Sequence, residues 1–233
     1  MKKKLLSVLL ITACVFCVSA CGKKDDTNKT DGQFTSTEST SGKADTAALE
    51  NLSVPEEGLL TRDSEGLLSG QYNIEIEFED YGTVALTLDA DLAPVTVTNF
   101  MDLVKDGFYD GLTLHRIIPG FMIQGGDPLG QGIGGSGRNI QGEFASNGIE
   151  NDLAHTRGVI SMARSAMPNS ASSQFFIMHE DAPHLDGDYT AFGQVTSGIE
   201  VVDAICESTP IQDNNGTVLA KDQPKIKEIR IVE

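Results

Sequence analysis

Leu114-His115-Arg116-Ile117-Ile118-Pro119-Gly120-Phe121-Met122-Ile123-Gln124-Gly125-Gly126-Asp127 is the stretch that decides how this chain folds. Two apolar runs meet at Pro119-Gly120, a pair that reverses a chain, so the stretch reads as two strands folded back on each other. Arg116, Phe121, Met122 and Gln124 gather round the reversal. Arg116 is always charged and holds five N–H donors in a flat fork. Phe121 and Met122 are large and apolar, and Gln124 both donates and accepts. A cation beside an apolar wall is costly unless something docks there. These four residues therefore predict a binding site for a small apolar group carrying a carbonyl.

Outward on the N-terminal side, Ile74, Ile76 and Phe78 alternate with Glu75, Glu77 and Glu79. After Asp80-Tyr81-Gly82 the alternation resumes in Val84, Leu86 and Leu88, which predicts an antiparallel hairpin with one wet face. Pro94 suits the first position of a helix. Val97, Phe100, Met101 and Val104 follow at helical spacing, with Gly107 as the stop. On the C-terminal side, strands are expected at 158–163, 174–178 and 191–195. Ser197 and Glu200 have capping-box spacing, opening a second helix that ends at Cys206. Ile226, Ile229 and Ile231 predict a closing strand with a bulge before Ile229. Many short strands and two helices make an all-β barrel or sandwich, and pattern alone stops there.

Composition narrows the function. The chain has 233 residues, with 17 Lys and Arg against 34 Asp and Glu, a formal charge of −17. One or two domains fit that length. The acidic balance excludes a basic patch for nucleic acid and adhesion of the domain surface to anionic lipid; its plain reading is solubility. Cys14 and Cys17 lie in an apolar leader, Cys21 ends it and Cys206 stands alone, so there is no disulfide framework. His115, His155, His179 and His184 are scattered singly without metal-ligand spacing, and no metal or cofactor is expected. Gly130-Gln131-Gly132-Ile133-Gly134-Gly135 matches the dinucleotide fingerprint only formally, because no helix or βαβ unit follows. Ser172-Ser173 forms no nucleophile elbow, and no buried Asp–His partner is evident, so a hydrolase triad is not expected.

Residues 1–20 have the layout of a secretory signal, with Lys2, Lys3 and Lys4 before an apolar run to Ala20 that is short for a membrane span. Removing those three lysines would take the formal charge from −17 to −20. Val18-Ser19-Ala20-Cys21 resembles the lipobox of bacterial lipoproteins, and that resemblance implies lipidation of Cys21 and attachment to the outer face of the cell membrane. More than one acyl chain makes such an anchor durable. Residues 21–70 read as a flexible tether, rich in Lys, Asp, Thr, Ser and Gly; a coil of about 45 residues spans roughly 35–40 Å. The leucines between Leu49 and Leu68 leave room for a short helix or strand that pads the domain at 71–233.

A second block, Gly158-Val159-Ile160-Ser161-Met162-Ala163-Arg164 followed by Ser172-Ser173-Gln174-Phe175-Phe176-Ile177, joins the opening stretch in register. Together they resemble the two hallmarks of the cyclophilin family of peptidyl-prolyl cis-trans isomerases, over a region from about Tyr72 to the C-terminus. The resemblance implies an eight-stranded antiparallel β-barrel capped by two α-helices, with the groove on its outside. It implies that Arg116 is the catalytic arginine, steadied by Gln124. Phe121, Met122, Phe176 and Leu185 would form the proline pocket, and Gln174 with the backbone near Ala163 and Arg164 would hold the substrate chain. His184 stands where many members carry Trp, which implies weak binding of cyclosporin. Tyr189 stands where many carry His, and its ring would still close the pocket. The expected partners are proline-containing unfolded or exported polypeptides, and the expected state is a monomer. A binding module, a holdase or surface adhesin using the same groove without turnover, is the alternative.

Overall fold

The computed structural model describes residues 58–232. The leader, Cys21 and the tether as far as residue 57 lie outside the described residues. β1 (Gln71–Phe78) and β2 (Gly82–Asp89) form the expected hairpin, paired from Gln71 with Asp89 to Phe78 with Gly82. α1 (Pro94–Lys105) starts at the proline, whose missing N–H costs nothing in a first turn. β3 (Thr113–Ile118), β4 (Met122–Asp127), β5 (Val159–Met162), β6 (Phe175–Met178), β7 (Ala191–Ser197), α2 (Ile199–Ser208) and β8 (Ile226–Val232) complete the order.

All eight strands belong to one antiparallel sheet in the order β3-β4-β6-β5-β7-β2-β1-β8. Its two ends come together. Leu114 N–H donates to the Pro224 carbonyl, Ile226 N–H donates to the Leu112 carbonyl, and Thr113 bridges Lys225. The sheet thus curls into a barrel, and of the two architectures the pattern allowed the sandwich is excluded. Phe100 on α1 plugs the interior, its ring centroid 4.9 Å from Tyr109, 5.6 Å from Phe175 and 5.3 Å from Phe192. The expected irregularity in β8 is present: Phe78 pairs with Ile226 and Glu77 with Glu228, so Lys227 is the extra residue.

Two local expectations are corrected. Ser197 does not cap α2; it is the last residue of β7, paired with Ala85. Gly198, at φ 82°, makes the corner, and no side chain caps the helix. A Cβ on Gly198 would run into the Thr83 carbonyl, so the strand-to-helix turn needs glycine. The helix also continues past Cys206 to Ser208. Cys206 itself is a buried hydrophobe as expected, its thiol pushed up to about 12 by burial.

Part of the stretch read as tether lies on the domain. Leu60 bridges Ile140, its N–H donating to the Asn139 carbonyl and its carbonyl accepting from Gln141. Leu67 and Leu68 pack against the core. Arg62 Nε lies 3.1 Å from Oε1 of Glu143, a fully buried carboxylate that also accepts from the N–H groups of Val95 and Thr96. Ala93, at the N-cap of α1, offers no side-chain bond. Glu143 meets those first-turn donors from outside the helix, where a negative charge is favoured.

Candidate active site

β5 and β6 are buried along their whole length and β4 nearly so, which follows from apolar contacts on both faces. Ile123, Ile160, Phe175, Ile177 and Phe192 point into the barrel core. Their neighbours Met122, Val159, Phe176, Met178 and Ala191 face outward and form a second cluster with Leu185, Phe121 and Tyr189. Part of that cluster forms the floor and walls of a cavity of about 410 Å³ on the outside of the barrel. Phe121, Met122, Phe176, Leu185 and Tyr189 line it, with Arg116 and Gln124 at its edge.

The β3–β4 hairpin explains how Arg116 meets Gln124. Ile118-Pro119-Gly120-Phe121 is a turn closed by Phe121 N–H on the Ile118 carbonyl, with Gly120 at φ 79°. Proline at the second position and a glycine with positive φ at the third are the needs of a type II turn. From that turn the register places Ile118 opposite Met122 and Arg116 opposite Gln124. Arg116 NH1 donates to Gln124 Oε1 at 3.2 Å, and Gln124 Nε2 donates to Gln174 Oε1 at 3.0 Å. Gln174 in turn donates to the Gly134 carbonyl. Burial pulls the Arg116 pKa down, opposed by Tyr189 and Asp213; a guanidinium remains charged.

A second anchor for Arg116 was not foreseen. Its Nε donates to the Asn215 carbonyl at 2.8 Å. Asn215 sits in a turn built by Asp213, whose carboxylate accepts from the N–H groups of Asn215 and Thr217 and from the Thr217 hydroxyl. Those hydrogen bonds, Thr217 N–H first, hold the Asp213 carboxyl below its usual range. Asp213-Asn214-Asn215-Gly216 is legible as a turn, but nothing in sequence ties that turn to a residue about a hundred positions earlier.

The glycine-rich loop borders the cavity at Gly130, Gln131 and Gly132. Asp127, almost fully buried, organises it by accepting from the N–H groups of Leu129, Gln131, Gly132 and Ile133. Burial alone would raise its pKa; the backbone donors reverse that and lower it. His115 also lines the cavity. It is the extra residue of a bulge between the Leu114–Gly125 and Arg116–Gln124 pairs, and neither ring nitrogen has a partner among the described residues.

The other expected residues divide. Ala163 and Arg164 line the cavity and, with Gln174, a neighbouring hollow of about 390 Å³. Ala163 N–H is already taken by the Gln174 carbonyl, so it is not available to a substrate chain. The Arg164 guanidinium lies between two rings, 4.9 Å from the Phe144 centroid and 4.7 Å from that of Tyr189. His184 does not line the cavity; it is exposed, its ring 5.6 Å from Phe121 on the outer rim. The Asp–His partner that sequence did not reveal exists. His155 Nδ1 lies 2.9 Å from Asp186 Oδ1, and its Nε2 lies 3.0 Å from Ser161 Oγ. Ser161 is fully buried beside its strand partner Phe176, so no substrate carbonyl reaches it. This chain supports the pocket floor: the His155 ring stacks over Phe176 at 6.1 Å.

Known proteins resemble this chain in sequence and in fold. Residues 73–233 match the family described as cyclophilin type peptidyl-prolyl cis-trans isomerase/CLD. Peptidyl-prolyl cis-trans isomerase B of Bacillus subtilis (strain 168) is 49% identical over 122 residues, covering 52% of this chain and 82% of that protein. The peptidyl-prolyl cis-trans isomerase of Synechococcus elongatus is 53% identical over 113 residues, 48% of this chain and 73% of that one. A crystal structure of a Cryptosporidium parvum cyclophilin superposes with a TM-score of 0.62 at 33% identity, over 70% of this chain and 99% of that chain. The same parasite protein in the presence of the dipeptide Ala-Pro gives 0.61 at 34% identity, over 69% and 99%. Sequence and fold converge: this chain belongs to the family of cyclophilin-type peptidyl-prolyl cis-trans isomerases.

Proposed function

We propose that the domain turns X–Pro peptide bonds in exported polypeptides, at the outer face of the bacterial cytoplasmic membrane to which a lipid on Cys21 ties it. Isomerase activity follows from family membership; the clients and the membrane setting rest on the leader and the Val18-Ser19-Ala20-Cys21 motif. One observation carries the chemistry: Arg116 is fixed over an apolar cavity by the Asn215 carbonyl and Gln124.

Rotation about an X–Pro bond must break amide resonance, a barrier of ~18–20 kcal/mol. No bond is cleaved, so the protein has only to favour the twisted amide over both planar forms. The floor of Met122, Phe176 and Leu185, with Phe121 and Tyr189 as walls, takes the pyrrolidine ring. As resonance is lost, a lone pair localises on nitrogen, and the Arg116 N–H groups not used on Asn215 and Gln124 are the donors placed to meet it. A hydrogen bond from a charged donor contributes ~1.5–3 kcal/mol and a tenfold rate needs ~1.4 kcal/mol. Arg116 therefore supplies one to two of the orders of magnitude, and fixed positioning of the proline ring in the cavity supplies more. The Ala-Pro dipeptide present with the parasite relative is the kind of ligand this cavity fits.

Residues 58–233 should accelerate cis–trans exchange in a proline tetrapeptide, and R116A should remove at least nine-tenths of kcat/KM. Equal rates with and without the domain would end this reading. Suppressed client aggregation without faster proline-limited refolding would favour a holdase. The membrane half is tested separately, by whether C21A moves the protein from the membrane fraction to the soluble one.

A further inference from the structure

His179 takes no part in the site as drawn so far, yet it grips the turn that carries the Phe121 wall. In a type II turn the central N–H faces away from the turn and has no partner within it. Here that donor is Gly120 N–H, and it donates to His179 Nδ1 at 2.8 Å. The backbone of His179 holds the next group along, its N–H donating to the Phe121 carbonyl at 2.9 Å. The Gly120–Phe121 unit is therefore gripped by both the side chain and the main chain of one residue. Behind the ring, Nε2 lies 3.2 Å from Oδ1 of Asp203 on α2. Asp203 is itself locked by two bonds from Arg157 NH2, at 2.7 and 2.8 Å, and Arg157 NH1 donates to the His179 carbonyl. The tautomer follows from the partners. Nδ1 accepts, so Nε2 carries the proton, 3.2 Å from the carboxylate.

We propose that His179 is a positioning residue for the proline pocket: Asp203 and Arg157 hold its ring, the ring holds the Gly120–Phe121 turn, and the turn sets where the Phe121 wall stands against the cavity. This deepens the isomerase reading and rests on it. Because the Phe121 wall meets the ring in planar and twisted substrates alike, its placement governs binding rather than the rate of rotation.

The test compares His179→Asn with His179→Leu in the tetrapeptide assay, with R116A alongside. Asn and Leu have nearly the same shape, but only Asn keeps an acceptor near the position of Nδ1. H179L should raise KM about threefold to tenfold, the loss of one hydrogen bond, with kcat within twofold of wild type. H179N should restore KM to within about twofold. Nitrogen NMR of the wild-type imidazole should show the proton on Nε2. Equal KM values for the Asn and Leu variants, a fall in kcat instead of a rise in KM, or a proton on Nδ1 would each overturn the proposal. If R116A also left turnover untouched, the isomerase reading would fail instead, and the two failures are thereby distinguished.

Discussion

Asp213 never reaches the cavity, but the placement of Arg116 depends on it. Remove its carboxylate and the Asn215 carbonyl loses the turn that aims it at Arg116 Nε. D213A should lower kcat/KM about tenfold, mostly through kcat, since the donor meant for the twisted amide would wander. D213N, which keeps one acceptor oxygen, should recover most of the loss. Stopped-flow exchange on the tetrapeptide reads both. Residues of this kind divide the legible from the illegible. Arg116 and Gln124 could be paired from sequence, because they stand four places either side of Gly120 and a hairpin register brings them face to face. Asp213, Asn215 and the Ser161–His155–Asp186 chain could not, because they meet across the fold rather than along the chain.

Among elements, the clearest sequence signals came from regular apolar spacing bounded by turn residues. The β1–β2 hairpin and α1 announced themselves through alternation and helical spacing. β5 and β6 showed only short apolar runs, because one face fills the barrel and the other floors the cavity. Periodicity cannot say which face is which when both are dry. The chain from 139 to 157 was harder still. Ile140, Glu143, Phe144 and His155 are buried there with almost no regular structure, and Asn151 ties the loop to the Glu143 and Ala191 carbonyls. The segment ahead of β1 belongs with this loop. R62A would leave the buried Glu143 carboxylate with only the α1 donors and should cost about 1–2 kcal/mol, lowering Tm by about 2–8 °C in a domain of this size. A thermal melt of residues 58–233 with and without the substitution checks it; an unchanged Tm would mean that Arg62 contributes nothing.

For the whole molecule, two buried histidines set the response to acid. Burial depresses the pKa of both His115 and His155, with Asp127 and Asp186 opposing in part. An unfolded histidine takes up a proton near pH 6.5 that these two resist, so the unfolded chain binds more protons and stability falls as pH drops through about 6.5. Asp127 and Asp186 are held below the usual carboxylate range, so their contribution is intact there and is lost only at lower pH. The urea midpoint should be lower at pH 5.5 than at pH 7.5, because the unfolding free energy falls by up to about 1.4 kcal/mol per pH unit below about 6.5 for each histidine. H155Q should flatten the slope. Equal midpoints at the two pH values would contradict this account.

The meeting of β3 with the chain entering β8 has a temporal side. Leu114 is stitched to Pro224, and Arg116 leans on Asn215, so the arginine at the edge of the cavity waits for residues made about a hundred positions later. A nascent copy therefore carries an unfinished groove until the chain around Asn215 and Pro224 has been made. This isomerase is thus idle through nearly all of its own synthesis, and comes into service only as a finished piece.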